Sequence, residues 1–231
     1  MKSFHNDPLI KEKYINRLKD HYSADEIIKG QYWENGKGCA VGCTIHSRNH
    51  SNYETELGIP KVIARLEDNI FEKLPNELAK EFPLQFLSAI NVGADLSNVW
   101  RYFTIWLLTD AEYGMLQFAK NKKVVQDIAD AYLEDITMPV TVERWKELRK
   151  VASANAYSGA DADAVADAAF YAAVYAADAA VYAAAVYAAN AATVLAAAAV
   201  LADYAAADYG SKEQWYTAAS QKLIELLKQQ N

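Results

Sequence analysis

The chain has 231 residues, 52% of them hydrophobic, and a formal net charge of −7. Such length and apolar content support a packed core and exclude general disorder. No basic stripe stands out, which excludes a duplex-binding surface that relies on phosphate neutralisation.

The first helix is predicted to start at Asp7-Pro8, with proline suited to the first turn, and to show Leu9, Tyr14 and Leu18 on one face. Ser23-Ala-Asp-Glu26 reads as a capping box opening a second helix through Ile27 and Ile28 to Gly30. WENGKG follows as a turn around Asn35-Gly36. AVGCTI has the composition of a short strand, but nothing elsewhere clearly pairs with it.

Ser51-Asn-Tyr-Glu54 reads as another capping box, for a short helix ending at Gly58. From Pro60 the residues Val62, Ile63, Leu66, Ile70 and Leu74 recur at helical spacing, and Pro75 ends that run. Further helices are expected over 83–90, 97–108, 110–119, 122–137 and 141–156, with Thr109-Asp-Ala-Glu112 as a third capping box.

Composition then changes. Of the 60 residues from Val151 to Gly210, 30 are alanine, none is Lys, Arg or Glu, and six are Asp. This stretch carries −6 and residues 211–231 add +1, which leaves −2 for the first 150. Alanine is the best helix former, so the stretch is predicted helical. An unbroken 50-residue helix would run about 75 Å, so breaks are expected near Asp178 or Asn190. Tyr171, Tyr175, Asp178 and Tyr182 share one helical face, as gap fillers between alanine helices or as an aromatic wall for a flat ligand. The uncharged run from Ala179 to Ala202 is long enough to span a bilayer, but it is mostly alanine and flanked by aspartates, so no spanning helix is expected. Ser211-Lys-Glu-Gln214 opens a last helix with Trp215, Ala219, Leu223, Leu226 and Leu227 as its apolar face. MKSFHNDPLIKEKY has no apolar core, so no secretory signal is expected.

The chemistry concentrates in GKGCAVGCTIHSRNH, from Gly36 to His50. Gly36, Gly38 and Gly42 allow close backbone approach, and exposed amides in such a turn form anion-binding nests. Lys37 and Arg48 add positive charge, and the helix start near Tyr53 and Glu54 favours an anion. Trp33 and Tyr32 supply surfaces on which a base can stack. His46 and His50 suit acid–base work on a phosphodiester. Two other readings use the same residues. Cys39 and Cys43 with His46 and His50 offer four zinc ligands, but crowded into twelve residues with no second arm. Cys43 with His46 forms a nucleophile pair lacking an identifiable third group. The cysteines otherwise read as buried thiols of a reducing cytoplasm, with no disulfide framework.

The segment ADEIIKGQYWENGKGCAVGCTIHSRNHSNYETELGIP, with IARLED and FPLQFLSAI downstream, resembles a group of bacterial, prophage and phage proteins over roughly residues 1–135. The resemblance implies one class of role, viral disarming of nucleotide-based bacterial immunity by trapping or cutting a signal.

The expectation is an all-α cytoplasmic protein. A compact multi-helix bundle over 1–150 carries the glycine–histidine motif, and an alanine-rich helical stack over 151–231 packs on it. The predicted role is sequestration of a phosphate-bearing, nucleotide-like small molecule, with no cofactor, metal, duplex nucleic acid or membrane. Trp33, Lys37, Gly38, Gly42, Cys43, Thr44, His46, Arg48, His50, Tyr53 and Glu54 are the candidate ligand residues. Two alternatives stand beside it. One is a metal-independent phosphodiesterase with His46 and His50 as catalytic residues. The other is a structural adaptor whose alanine helices form a homo-oligomer.

Overall fold

The computed structural model describes residues 1–49, 51–117, 119, 121–156 and 212–231. These are mainly α-helical, a multi-helix fold with one two-stranded sheet. No described helix is long and apolar enough to cross a membrane. The alanine helices, their breaks, the tyrosine face, the uncharged run and the Ser211 cap lie outside the described residues. The chain divides by packing into two units, residues 1–99 with 216–231, and residues 100–215. This division is distinct from the compositional boundary at residue 150, which marks a change in helix-forming residues.

In the first unit Asp7 and Pro8 open helix α1 (Pro8–Ser23), and the Asp7 carboxylate accepts the Leu9 amide at 2.8 Å. Tyr14 and Leu18 are buried but Leu9 is exposed, so the packed face begins one turn later than expected. The second helix expected from Ser23 does not form. Ser23 ends α1, its hydroxyl donating to the Lys19 carbonyl at 2.8 Å. The chain then turns, with Asp25 at positive φ, and buried Ile27 bridges in parallel to Gly38. A helix of one or two turns has too few bonds to repay nucleation, and the tertiary pairing prevails.

The expected turn at Asn35-Gly36 is a hairpin joining β1 (Trp33–Glu34) to β2 (Lys37–Gly38), with both turn residues at positive φ. AVGCTI is not a strand but helix α2 (Ala40–Ile45), all six residues buried. It packs against α1, α3 (Asn52–Leu57), α4 (Lys61–Lys73) and α5 (Asn76–Ala89). Gly58 ends α3 in the left-handed conformation, as expected, but Ser51 makes no side-chain cap. Glu54 Oε1 instead accepts the Lys61 amide at 3.1 Å, which ties α3 to the start of α4.

Helix α4 buries Val62, Ile63, Leu66 and Ile70 as its spacing predicts. Helix α5 starts seven residues before the expected 83, with Pro83 inside it. An interior proline costs about 3 kcal/mol; burial of Phe82, Phe86 and Leu87 on the same helix offsets it.

The second unit holds the rest of α6 (Val99–Thr109), α7 (Lys122–Thr137) and α8 (Val142–Ala156), close to the expected spans. The helix expected over 110–119 is a turn followed by the 3-10 segment Met115–Gln117. The reason is Asp110: its Oδ1 accepts the Glu112 and Tyr113 amides at 3.0 and 2.8 Å, a local alternative to helix propagation. Trp100, Tyr132 and Trp145 form an aromatic row, with ring centroids 5.8 and 5.1 Å apart. Trp215, Ala219, Leu223, Leu226 and Leu227 of the last helix, α9 (Lys212–Lys228), are all buried as predicted.

Because Asp7 caps the helix that carries much of the candidate site, Asp7→Ala is expected to cost about 1 kcal/mol. Urea unfolding measures this as a lower midpoint at unchanged slope.

Candidate functional site

The site forms where the end of α1 meets the end of α2, and close backbone contact brings them together. A Cβ on Gly42 would lie 1.5 Å from the Tyr32 carbonyl oxygen, and one on Gly38 2.3 Å from it. Only glycine lets the chain before β1 lie so close on α2. That approach brings Trp33 over the C-terminal end of α2, where His46 adopts the left-handed conformation, φ 52° and ψ 42°. A non-glycine residue there is strained by about 1–2 kcal/mol. The His46 ring stacks on Trp33 with centroids 4.5 Å apart and planes within 10°.

His46 Nε2 lies 2.7 Å from Nε2 of His21, on the last turn of α1. His21 Nδ1 in turn lies 2.6 Å from Oε2 of Glu26. His21 is buried, whereas His46 is exposed. The hydrogen-bond chain assigns the tautomers. A carboxylate accepts only, so His21 Nδ1 carries a proton and donates to Glu26. With His21 neutral, its Nε2 is a lone pair and accepts from His46 Nε2–H. His46 Nδ1 is then the basic end of the chain, with no partner among the described residues.

The same face of α1 carries two more polar side chains. Arg17 donates Nη1–H to the Thr44 carbonyl at 2.7 Å, with its guanidinium carbon 4.9 Å from the centre of the Tyr14 ring. Tyr14 donates its hydroxyl to Glu56 Oε2 at 2.5 Å. Partial desolvation of the ring stacked on Trp33, then the charge of Arg17 and repulsion from a protonated His21, hold the His46 imidazole below its ordinary value, against the opposing effect of Glu56 and Glu26.

Several expected roles are corrected. The amides of Gly38 and Gly42 are not an open nest: Gly38 N–H donates to the Glu26 carbonyl at 3.1 Å, and Gly42 N–H to Cys39 Sγ at 3.4 Å. Cys43 is buried with its sulfur 3.2 Å from the Gly38 carbonyl, and burial pushes its thiol up to about 12, so it supplies no thiolate at neutral pH. Thr44 is buried, its hydroxyl donating to the Ala40 carbonyl at 2.8 Å. Tyr53 is fully buried and donates to Glu67 Oε2 at 2.7 Å, locking α3 to α4 instead of facing a ligand. Glu54 is engaged with Lys61, its Oε2 3.6 Å from Nζ. These residues fold the motif; their pattern suggested ligand contact because burial and exposure are not visible in a glycine-rich string.

Of the remaining candidates, Lys37 is exposed, and Arg48 is exposed with Nε donating to the Trp33 carbonyl at 3.0 Å and Nη2 3.2 Å from Glu34. His50 lies outside the described residues. Trp33 and His46 are thus brought together as expected, but the partner of His46 is His21. Reading the motif alone missed His21, Glu26, Arg17, Tyr14 and Glu56. The spacing of Tyr14, Arg17 and His21, at i, i+3 and i+7 on one helix face, was the available signal. No family model, curated protein or solved structure matches the chain.

Two outcomes follow from this geometry. Gly42→Ala is expected to destabilise the fold by several kcal/mol, on the order of 3, because the new methyl overlaps backbone; chemical unfolding or loss of soluble protein reports it. The lowered His46 value means the unfolded chain binds the proton more readily than the folded one. His46 therefore contributes stability that is fully present above about pH 6.5 and is lost as pH falls through its lower folded value. His46→Asn, which tolerates the left-handed backbone without titrating, should flatten this slope when unfolding curves are compared from pH 7.5 down to 4.5.

Proposed function

We propose that the protein is a hydrolase acting on a phosphodiester of a nucleotide-like small molecule, with His46 as its catalytic acid–base residue. The observation that carries the proposal is the Glu26–His21–His46 chain ending at an exposed imidazole. Such a chain serves acid–base chemistry better than passive ligand holding, because it sets which nitrogen is basic and gives the proton's charge somewhere to go. The closed amides at Gly38 and Gly42 weaken the sequestration reading in the same measure.

His46 Nδ1 takes the proton of an attacking hydroxyl or water as its oxygen bonds phosphorus. The shared proton passes from His46 Nε2 to His21 Nε2, so the positive charge comes to rest on His21 beside the Glu26 carboxylate. The phosphorus–oxygen bond to the leaving group breaks, the proton on His46 Nδ1 is delivered to the departing oxygen, and His21 Nε2 returns the shared proton to His46 Nε2, which restores both neutral rings. His21 and Glu26 act as positioning residues, since neither needs to touch the substrate. Trp33 holds the His46 ring in place by stacking. The resemblance to prophage and phage proteins supports a setting in which the molecule cleaved is a nucleotide signal of bacterial immunity.

The protein is to be incubated with cyclic di- and oligonucleotides and ADP-ribose-type compounds, then heat-denatured and its supernatant analysed. Fragments are expected, with His46→Asn lowering kcat by about 10²- to 10⁴-fold. The acidic limb of the wild-type rate profile should lie below pH 6.5, since His46 must be neutral to act and its value is lowered. Ligand returned intact favours sequestration, and no ligand bound from the whole panel favours the adaptor reading.

A further inference from the structure

Arg17 is pinned without being used up. One guanidinium nitrogen is spent on the Thr44 carbonyl, two residues before His46, and the ring of Tyr14 supports the guanidinium from the side. Its other donors have no partner among the described residues. It is half-buried on the α1 face that also carries His21, four residues on, about 6 Å along the axis. A fixed planar fork next to an acid–base group is the arrangement that holds an oxyanion in register with it.

The neighbours of this fork restrict which oxyanion. Two carboxylates border the site: Glu56 accepts the hydroxyl of Tyr14, against whose ring Arg17 packs, and Glu26 faces the far side of His21. Lys13 also reaches the Tyr14 ring, at 4.8 Å, but is an exposed side chain. A singly charged phosphodiester meets Arg17 with its one negative charge. A terminal phosphate monoester, mostly doubly charged near neutral pH, would place its second charge against the two carboxylates.

Resting on the hydrolase reading above, we propose that Arg17 anchors the non-bridging oxygens of the substrate and that Glu56 makes the site select phosphodiesters over terminal phosphates. The product of cleavage, if it gains a terminal phosphate, is then bound more weakly than the substrate and leaves.

The test uses dimethyl phosphate and methyl phosphate as probes at pH 8, followed through the guanidinium Nε–H of Arg17 and the Trp33 indole resonance by NMR on the full chain. Saturable binding of the diester is expected, about fivefold or more tighter than the monoester. Arg17→Gln should weaken diester binding at least about tenfold, and Arg17→Lys less, since it keeps the charge but loses the fork. Glu56→Gln should erase the preference between the two probes, a change that a merely structural role for Glu56 would not produce; for the Arg17 variants and Glu56→Gln alike, melting temperatures near wild type show that the fold is kept. No saturable diester binding, equal binding by Arg17→Gln, or a wild-type preference for the monoester overturns the proposal. Diester binding through Arg17 with no nucleotide of the panel cleaved leaves the anchor standing and removes the hydrolase. Cleavage that Arg17→Gln leaves unchanged does the reverse.

Discussion

Two imidazole nitrogens held 2.7 Å apart accommodate one proton between them, not two and not none. Every other feature of the site serves or follows from that constraint. Glu26 takes the far side of His21 and so decides which way the shared proton points. Trp33 takes a face of His46 and keeps its ring from rotating away. The strained left-handed backbone at His46 is tolerated because the stack and the shared proton hold the residue where it is.

The scaffold under this pair is the buried helix α2. It is only six residues long, and alone it would not persist in water. Four neighbouring helices and the close contact of Gly38 and Gly42 with the Tyr32 carbonyl hold it. The two cysteines belong to this packing. Cys39 Sγ caps the start of the helix, and Cys43 sits beneath it against the Gly38 carbonyl. The motif's unusual residues therefore divide into a buried set that makes close packing feasible and an exposed end that carries His46.

Most helices of the described residues were legible in the sequence. Asp7-Pro8, Gly58 and the apolar spacing of 62–70 each state a local rule that nothing in the tertiary structure overrides. The failures have a common physical cause, in that local signals lost to longer-range ones. Ser23 resembled a cap but sits at a helix end, because Ile27 pairs with Gly38 eleven residues away. AVGCTI is β-branched enough for a strand, yet burial on every side favours a helix whose backbone satisfies itself. The proximity of Trp33 and His46 was legible in the motif, but the partner of His46 was not. His21 lies 25 residues before His46 in the chain, and only the packing of α1 on α2 brings the two rings together.

Nitrogen-15 NMR of histidine-labelled protein near pH 8 reads the direction of the hydrogen bonds from Glu26 through His21 to His46. Neutral His21 is expected to carry its proton on Nδ1 and neutral His46 its proton on Nε2, with a bare Nδ1 on His46. His46 is also expected to titrate below the ordinary value of about 6.5. His46 found with its proton on Nδ1, or titrating at the ordinary value with no coupling to His21, would mean that the Glu26–His21–His46 chain does not exist in this direction.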